Sequence, residues 1–190
     1  MKKLAIIFTL ALVFVFIAPP AEAVTQEQEE PFKQNSFSIV NMMIEMKIQK
    51  EKLEIQNKIH NRISELRQQV NKTWYVFSGS TPGGWDCSGL VMWFYSDLGV
   101  ELEHSATAQM RSGTLVDNPA PGDIVSFVYP GSERSYHNGI YIGNGKIIHA
   151  PKPGRLTEIR AISEIQFNHT VRYTRLIESA KIDKVTFPPS

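Results

Sequence analysis

The run His137-Asn138-Gly139-Ile140-Tyr141-Ile142-Gly143-Asn144-Gly145-Lys146-Ile147-Ile148-His149-Ala150-Pro151 decides the fold of this 190-residue chain. Asn144-Gly145 lies between two β-rich runs, and both residues tolerate the left-handed backbone of a tight turn, so the run predicts a hairpin. With a three-residue loop, Gly143-Asn144-Gly145, Ile142 pairs with Lys146. His137, Gly139, His149 and Pro151 then share one face, and Ile140, Ile142 and Ile148 share the other. A two-residue loop would set His149 opposite Ile140 and mix polar with apolar on both faces. The longer loop predicts one apolar face against a core and one face carrying both histidines.

Outward from the hairpin, its arms are expected at 138–142 and 146–150, with further strands at 123–128 and 170–177. Upstream, 87–98 has the composition of a buried helix stopped by Gly99, and 105–111 that of a short second helix. Helices first and an antiparallel meander afterwards make an α+β domain, expected over 71–180 with a loose tail at 181–190.

The first of those helices begins Gly83-Gly84-Trp85-Asp86-Cys87-Ser88-Gly89-Leu90. Asp86 is a good N-cap, and Cys87 falls in the first turn. A helix N-terminus carries partial positive charge, which favours thiolate over thiol, and its free N–H groups can receive an oxyanion. Cys87 is the only cysteine, so it has no disulfide partner within the chain. By count alone a buried, inert thiol is the plainer reading. Its place at a capped helix start, with two histidines on one hairpin face elsewhere, favours a nucleophile. A thiol needs a base to take its proton and return it to the leaving amine, and His137 suits that role. The base needs a polar group on its other nitrogen to hold tautomer and orientation, and His149 suits that one.

The N-terminus has a different character. Lys2 and Lys3 precede an apolar stretch over 4–18, followed by Pro19-Pro20 and Ala21-Glu22-Ala23, the layout of a secretory signal peptide over 1–23. Residues 24–35, rich in Gln and Glu, are expected to form a flexible leader. From 36 to 70 there is no Gly or Pro, and Ile44, Ile48, Ile55, Ile59, Ile63, Leu66 and Val70 recur at helical spacing. A long amphipathic helix is expected there. It is open to self-association, to docking on a partner or to docking on the following domain. Lys and Arg total 20 against 19 Asp and Glu, so no basic excess points to nucleic acid.

The blocks Asp86-Cys87-Ser88-Gly89-Leu90, Pro121-Gly122-Asp123-Ile124-Val125, His137 to Gly143 and Ile147-Ile148-His149-Ala150-Pro151 resemble, in order and spacing, the signatures of the NlpC-type cell-wall cysteine peptidases. The resemblance implies a papain-like core, in which a helix bearing the nucleophile packs on an antiparallel sheet bearing the base. It implies a Cys87-His137-His149 triad, no cofactor and no metal. It also implies a secreted or envelope enzyme that cuts peptidoglycan stem peptides at or near a γ-D-glutamyl–diamino acid bond. Tyr75 matches the family's tyrosine before the nucleophile, where it assists at the oxyanion, and Ser88 is grouped with it. Trp85 and Asp86, beside the nucleophile, are the expected cleft residues. Phe77-Ser78-Gly79 and His104 depart from the family pattern.

Three other readings stay open at this level. An N-acetylmuramoyl-L-alanine amidase or related acyl hydrolase could use the same Cys-His pair. A Cys-His-His zinc centre is conceivable, although no CxxC or HExxH spacing is present. A non-enzymatic envelope adaptor would make the long helix the working part.

Overall fold

The computed structural model describes residues 21–165 and 170–177, with side chains from residue 36 onward. The chain forms two compact units, Met1–Lys47 and Ile48–Ser190. Helix α1 (Ala21–Gln68) begins in the first and ends in the second. It starts well before the expected residue 36, so residues 24–35 are helical and not a flexible leader. Gln and Glu are good helix formers, and a polar run of them is as compatible with helix as with coil; composition alone does not separate the two. The expected signal peptide falls mostly on residues 1–20, and the expected tail on 181–190, both outside the described residues. No helix among the described residues is long and apolar enough to cross a membrane.

The second unit holds the α+β domain. A two-stranded ribbon, β1 (Ser80–Thr81) and β2 (Gly84–Trp85), leads into α2 (Cys87–Ser96), which is followed by α3 (Ala106–Arg111). The main sheet contains β3 (Thr114–Val116), β4 (Ile124–Val128), β5 (Ser135–Tyr141), β6 (Lys146–His149), β7 (Glu158–Ala161) and β8 (Thr170–Arg175). All its pairings are antiparallel, in the order β3-β8-β4-β5-β6-β7. Two short edge strands, β3 and β7, were not expected, and β8 lies between β3 and β4, so the sheet is not a simple meander. Edge strands of three or four residues bury little on either face and leave only a weak alternation to read.

The β5–β6 hairpin adopts the expected register, with Ile140 opposite Ile148 and Tyr141 opposite Ile147. Its loop holds three consecutive residues at positive φ, Gly143, Asn144 and Gly145, a conformation that Gly and Asn tolerate best. Ile140 and Ile148 face α2, packing with Ile124 against Leu90, Val91 and Phe94. The histidine face differs from expectation, because it is covered too. Val125, Phe127 and Ile147 form a second core there, packed by Ile162, Ile165 and Tyr173. The chain after β7 folds over this face, which removes His137 and His149 from bulk water.

Within the second unit, α1 docks on the domain through Ile59, Ile63 and Leu66, with Val70 in the turn just beyond its end, the C-terminal part of the predicted stripe. Arg62 anchors it. Its guanidinium donates to the carbonyls of Trp93 and Phe94 at the end of α2, and stacks 3.5 Å from the Trp93 ring centroid. Asp97 (2.7 Å) and Glu65 (2.6 Å) balance its charge. Hydrogen bonds to charged groups contribute about 1.5–3 kcal/mol each, so this one buried side chain carries much of the docking.

Candidate active site

Asp86 caps α2, its Oδ1 accepting the Gly89 N–H at 2.8 Å, and places Cys87 as the first helical residue. The backbone N–H groups of Asn138, Ser88 and Cys87 itself reach the sulfur. These donors favour the thiolate, but burial is the larger effect and pushes the thiol above its ordinary value. The expectation that the helix terminus alone would favour thiolate is therefore only half met. At rest the group leans toward thiol and needs a base.

His137 lies on β5, directly before Asn138, whose N–H reaches the sulfur. Phe127 on β4 faces His137 while Val128 faces Ser135, so Tyr136 is the extra residue of a β-bulge next to the histidine. Such bulges bend a strand and re-aim the following side chain. His137 Nε2 lies 2.6 Å from His149 Nδ1, the contact that the hairpin register predicts. With Nε2 so engaged, Nδ1 is the ring nitrogen of His137 not committed to His149.

The strand bearing His137 is tied to the helix bearing Cys87 by two buried amides. Asn138 Nδ2 donates to the Ala106 carbonyl and to Gln109 Oε1, each at 3.0 Å. Gln109 Nε2 in turn donates to the Ser88 carbonyl at 2.9 Å, and Ser135 holds Asn138 Oδ1 at 2.9 Å. Residues 72–175, a span containing all of these groups, match the NlpC/P60 family.

The chain belongs to the NlpC/P60 family.

Among its relatives are the murein DD-endopeptidase MepH of Escherichia coli strain K12 and the γ-D-glutamyl-L-lysine dipeptidyl-peptidase of Bacillus subtilis strain 168. The first is 35% identical over 120 residues, 60% of this chain and 44% of that protein. The second is 33% identical over 93 residues, 47% of this chain and 31% of that protein. The chain thus spans less than half the length of these relatives. Among solved structures, the NlpC/p60 domain of the peptidoglycan hydrolase SagA aligns with a TM-score of 0.52 at 28% identity, covering 60% of this chain and 96% of that one. The papain-like arrangement of helix on antiparallel sheet follows from this likeness.

The other expected site residues of the NlpC/P60 domain divide. Tyr75 lies close enough to Cys87 and Asp86 for their charges to add to burial in raising its phenol pKa. Ser88 is buried, and its hydroxyl donates to Asp86 Oδ1 at 2.9 Å, so only its backbone N–H faces the sulfur. Trp85 is corrected. It is fully buried, its indole donates to Thr157 Oγ1 at 2.7 Å, and it packs on Trp93, so it is core and not cleft wall. Asp86 is nearly buried, and its carboxylate is spent on local bonds to Ser78, Ser88, Gly89 and His104. Burial opposes its charge, but the Gly89 N–H, His104 and Ser88 together hold the carboxyl below its ordinary range. Its expected place as a cleft residue gives way to holding the start of the helix.

A cavity of about 650 Å³ opens beside the histidines, lined by Tyr136, His137, His149, Pro151, Lys152 and Arg160 among others. Asn138, Gln109 and Glu158 carry no role legible in the sequence. Asn138 follows His137 directly, and Gln109 precedes the buried Met110, so polar residues at inward positions were the available signal.

Both histidines are held neutral. Burial lowers His137 from 6.5 to about 3, helped by His149 and opposed by Glu158. Burial likewise lowers His149 to about 4, helped by Arg160 and Arg155. The unfolded chain therefore takes up these protons at a higher pH than the folded one, and stability falls as pH drops from about 6.5 toward 4. The expected slope is on the order of 1 kcal/mol per pH unit for each histidine. Denaturant midpoints measured across this range should show the loss, and the double variant His137→Gln/His149→Gln should lose most of the slope. An unchanged slope would mean that the histidines are not buried neutral.

Proposed function

We propose that this chain is an exported cysteine endopeptidase that hydrolyses peptidoglycan stem peptides at γ-D-glutamyl–diamino acid bonds. The observation that carries the reading is the linked array at the start of α2: a Cys87 sulfur met by the Asn138 N–H, with His137 next in the chain and held by His149 at 2.6 Å. His137 takes the thiol proton as the sulfur attacks the carbonyl carbon. The Cys87 N–H and the Tyr75 hydroxyl receive the oxyanion. The proton then passes to the departing amine as the C–N bond breaks, leaving a thioester. Water, deprotonated by the same imidazole, cleaves the thioester and restores the thiol.

Family membership alone does not make a hydrolase. One neighbour of similar fold is described as a non-catalytic NlpC/p60 domain protein adapted to peptidoglycan binding. Here all three triad positions are filled, which supports the catalytic reading over an adaptor. Residues 1–23 would serve as the export signal, and helix 36–70 is open to self-association or partner docking. The bond is the finer claim, because the relatives' names divide between a DD-endopeptidase and a γ-D-glutamyl-L-lysine peptidase. Digestion of defined muropeptides, with products weighed by mass spectrometry, tests it. New γ-D-glutamyl termini are expected. Release of intact stem peptide from muramic acid would instead make the protein an amidase.

A further inference from the structure

His149 is nearly fully buried, yet its Nε2 has no hydrogen-bond partner among the described residues. Glu158 Oε1 lies 3.4 Å from that nitrogen, within ion-pair range but outside good hydrogen-bond geometry. The approach is built into the sheet, since His149 on β6 and Glu158 on β7 are directly paired. Directly opposed residues of an antiparallel pair project to the same face. Glu158 is itself held by Arg155 Nη2 at 2.8 Å and Arg160 Nε at 3.1 Å.

Proton bookkeeping gives this carboxylate a task. If His137 Nδ1 is to accept the thiol proton, neutral His137 must carry its hydrogen on Nε2 and donate it to His149 Nδ1. His149 Nδ1 is then an acceptor, so the hydrogen of His149 sits on Nε2, the buried nitrogen facing Glu158. In the opposite tautomer, His149 would donate from Nδ1 and His137 would carry its hydrogen on Nδ1, where it could not act as base. An anion at His149 Nε2 selects the working tautomer and stabilises the imidazolium formed at His137 during turnover.

We infer that Glu158 is a positioning residue, acting through His149 to set the tautomer and charge of His137. The inference rests on the triad assignment of the proposed function. Four other charged groups bear on the pair, Arg155 and Arg160 bound to Glu158, and Lys152 and Glu164 on the wall of the adjoining cavity.

The test is steady-state kinetics of the full chain on a purified muropeptide. Glu158→Gln is expected to lower kcat about tenfold with KM little changed. The acidic limb of its pH profile should move to lower pH, because without the anion the His137 imidazolium forms less readily. Glu158→Asp, which keeps the charge, should recover most of the rate. In a His149→Asn background, where no ring tautomer needs selecting, Glu158→Gln should cost nothing further. A merely structural role would cost the same in both backgrounds and leave the acidic limb in place, and that result overturns the inference. Cys87→Ala run in parallel separates the two claims. If it is inactive while Glu158→Gln behaves as wild type, only the role of Glu158 fails; if it is active, the triad itself fails.

Discussion

Replacement of Cys87 by Ala is expected to bring peptidoglycan hydrolysis down to background, a loss of about 10⁴-fold or more in kcat. The proposed route passes through a thioester, and no other side chain at the start of α2 can form one. Ser88, next in the chain, carries a hydroxyl, but it donates to Asp86 and is buried. The fold should survive, because Asp86 caps the helix through its own carboxylate and Leu90, Val91 and Phe94 pack the core independently of residue 87. Circular dichroism and the thermal midpoint should match wild type. His137→Ala is expected to be as severe, while His149→Ala should cost about 10–100-fold, since water can partly replace an orienting group. Because Cys87 is the only cysteine, a thiol-directed reagent should label wild type once and the Ala variant not at all. Full activity in the Ala variant would remove the nucleophile assignment and the mechanism with it.

The second large effect is expected at Gly89. Inside a helix, Ala is ordinarily about 1 kcal/mol more favourable than Gly, so Gly89→Ala would stabilise an isolated α2. In the folded chain the sign reverses. A methyl group at Gly89 would overlap the Gly79 carbonyl oxygen, and would come within 2.9 Å of its carbon and 3.1 Å of Ser80 Cα. These are backbone atoms at the start of the ribbon, and no side-chain rotation relieves the clash. The ribbon must move, and it carries the Ser78 N–H bound to Asp86 and the Trp85 packed in the core. A net destabilisation of about 3 kcal/mol is expected, with a fall in Tm on the order of 10 °C. Activity should fall as well, through displaced Asp86 and Tyr75. Gly83→Ala is the control, because its added methyl meets only Thr81 Oγ1, at 3.5 Å. Thermal melts of the two variants decide the matter, and equal midpoints would show that the ribbon gives way easily.

These expectations differ in how they could be reached. The register of the hairpin, the pairing of its two histidines and the capped position of Cys87 were legible in the residues themselves. Each depends on interactions between near neighbours in the chain: a three-residue loop, an alternation of period two, and a side chain bonding the amide three residues ahead. The site follows because local rules aim His137 and His149 together before any tertiary contact is known.

Elsewhere local signals misled or were silent. Trp85 stood beside the nucleophile in sequence and was expected in the cleft, but Thr157, 72 residues away, supplies a partner for its indole and closes the core over it. Residues 24–35 have the polarity of a coil and the propensity of a helix, and composition could not choose between them.

What the sequence by itself determined is the capped helix start that holds Cys87 and the pairing of His137 with His149, because the forces that place them act over a few residues. The tertiary structure alone decided how those groups are tuned. It folds residues 162–165 over the histidine face, so that burial keeps both rings neutral. It brings the β7 carboxylate of Glu158 against His149, and ties Asn138 through Gln109 to the carbonyl of Ser88. Desolvation and long-range polar contacts depend on which distant segments share a surface, and edge-strand pairing and packing over the sheet settle that only once the chain has folded.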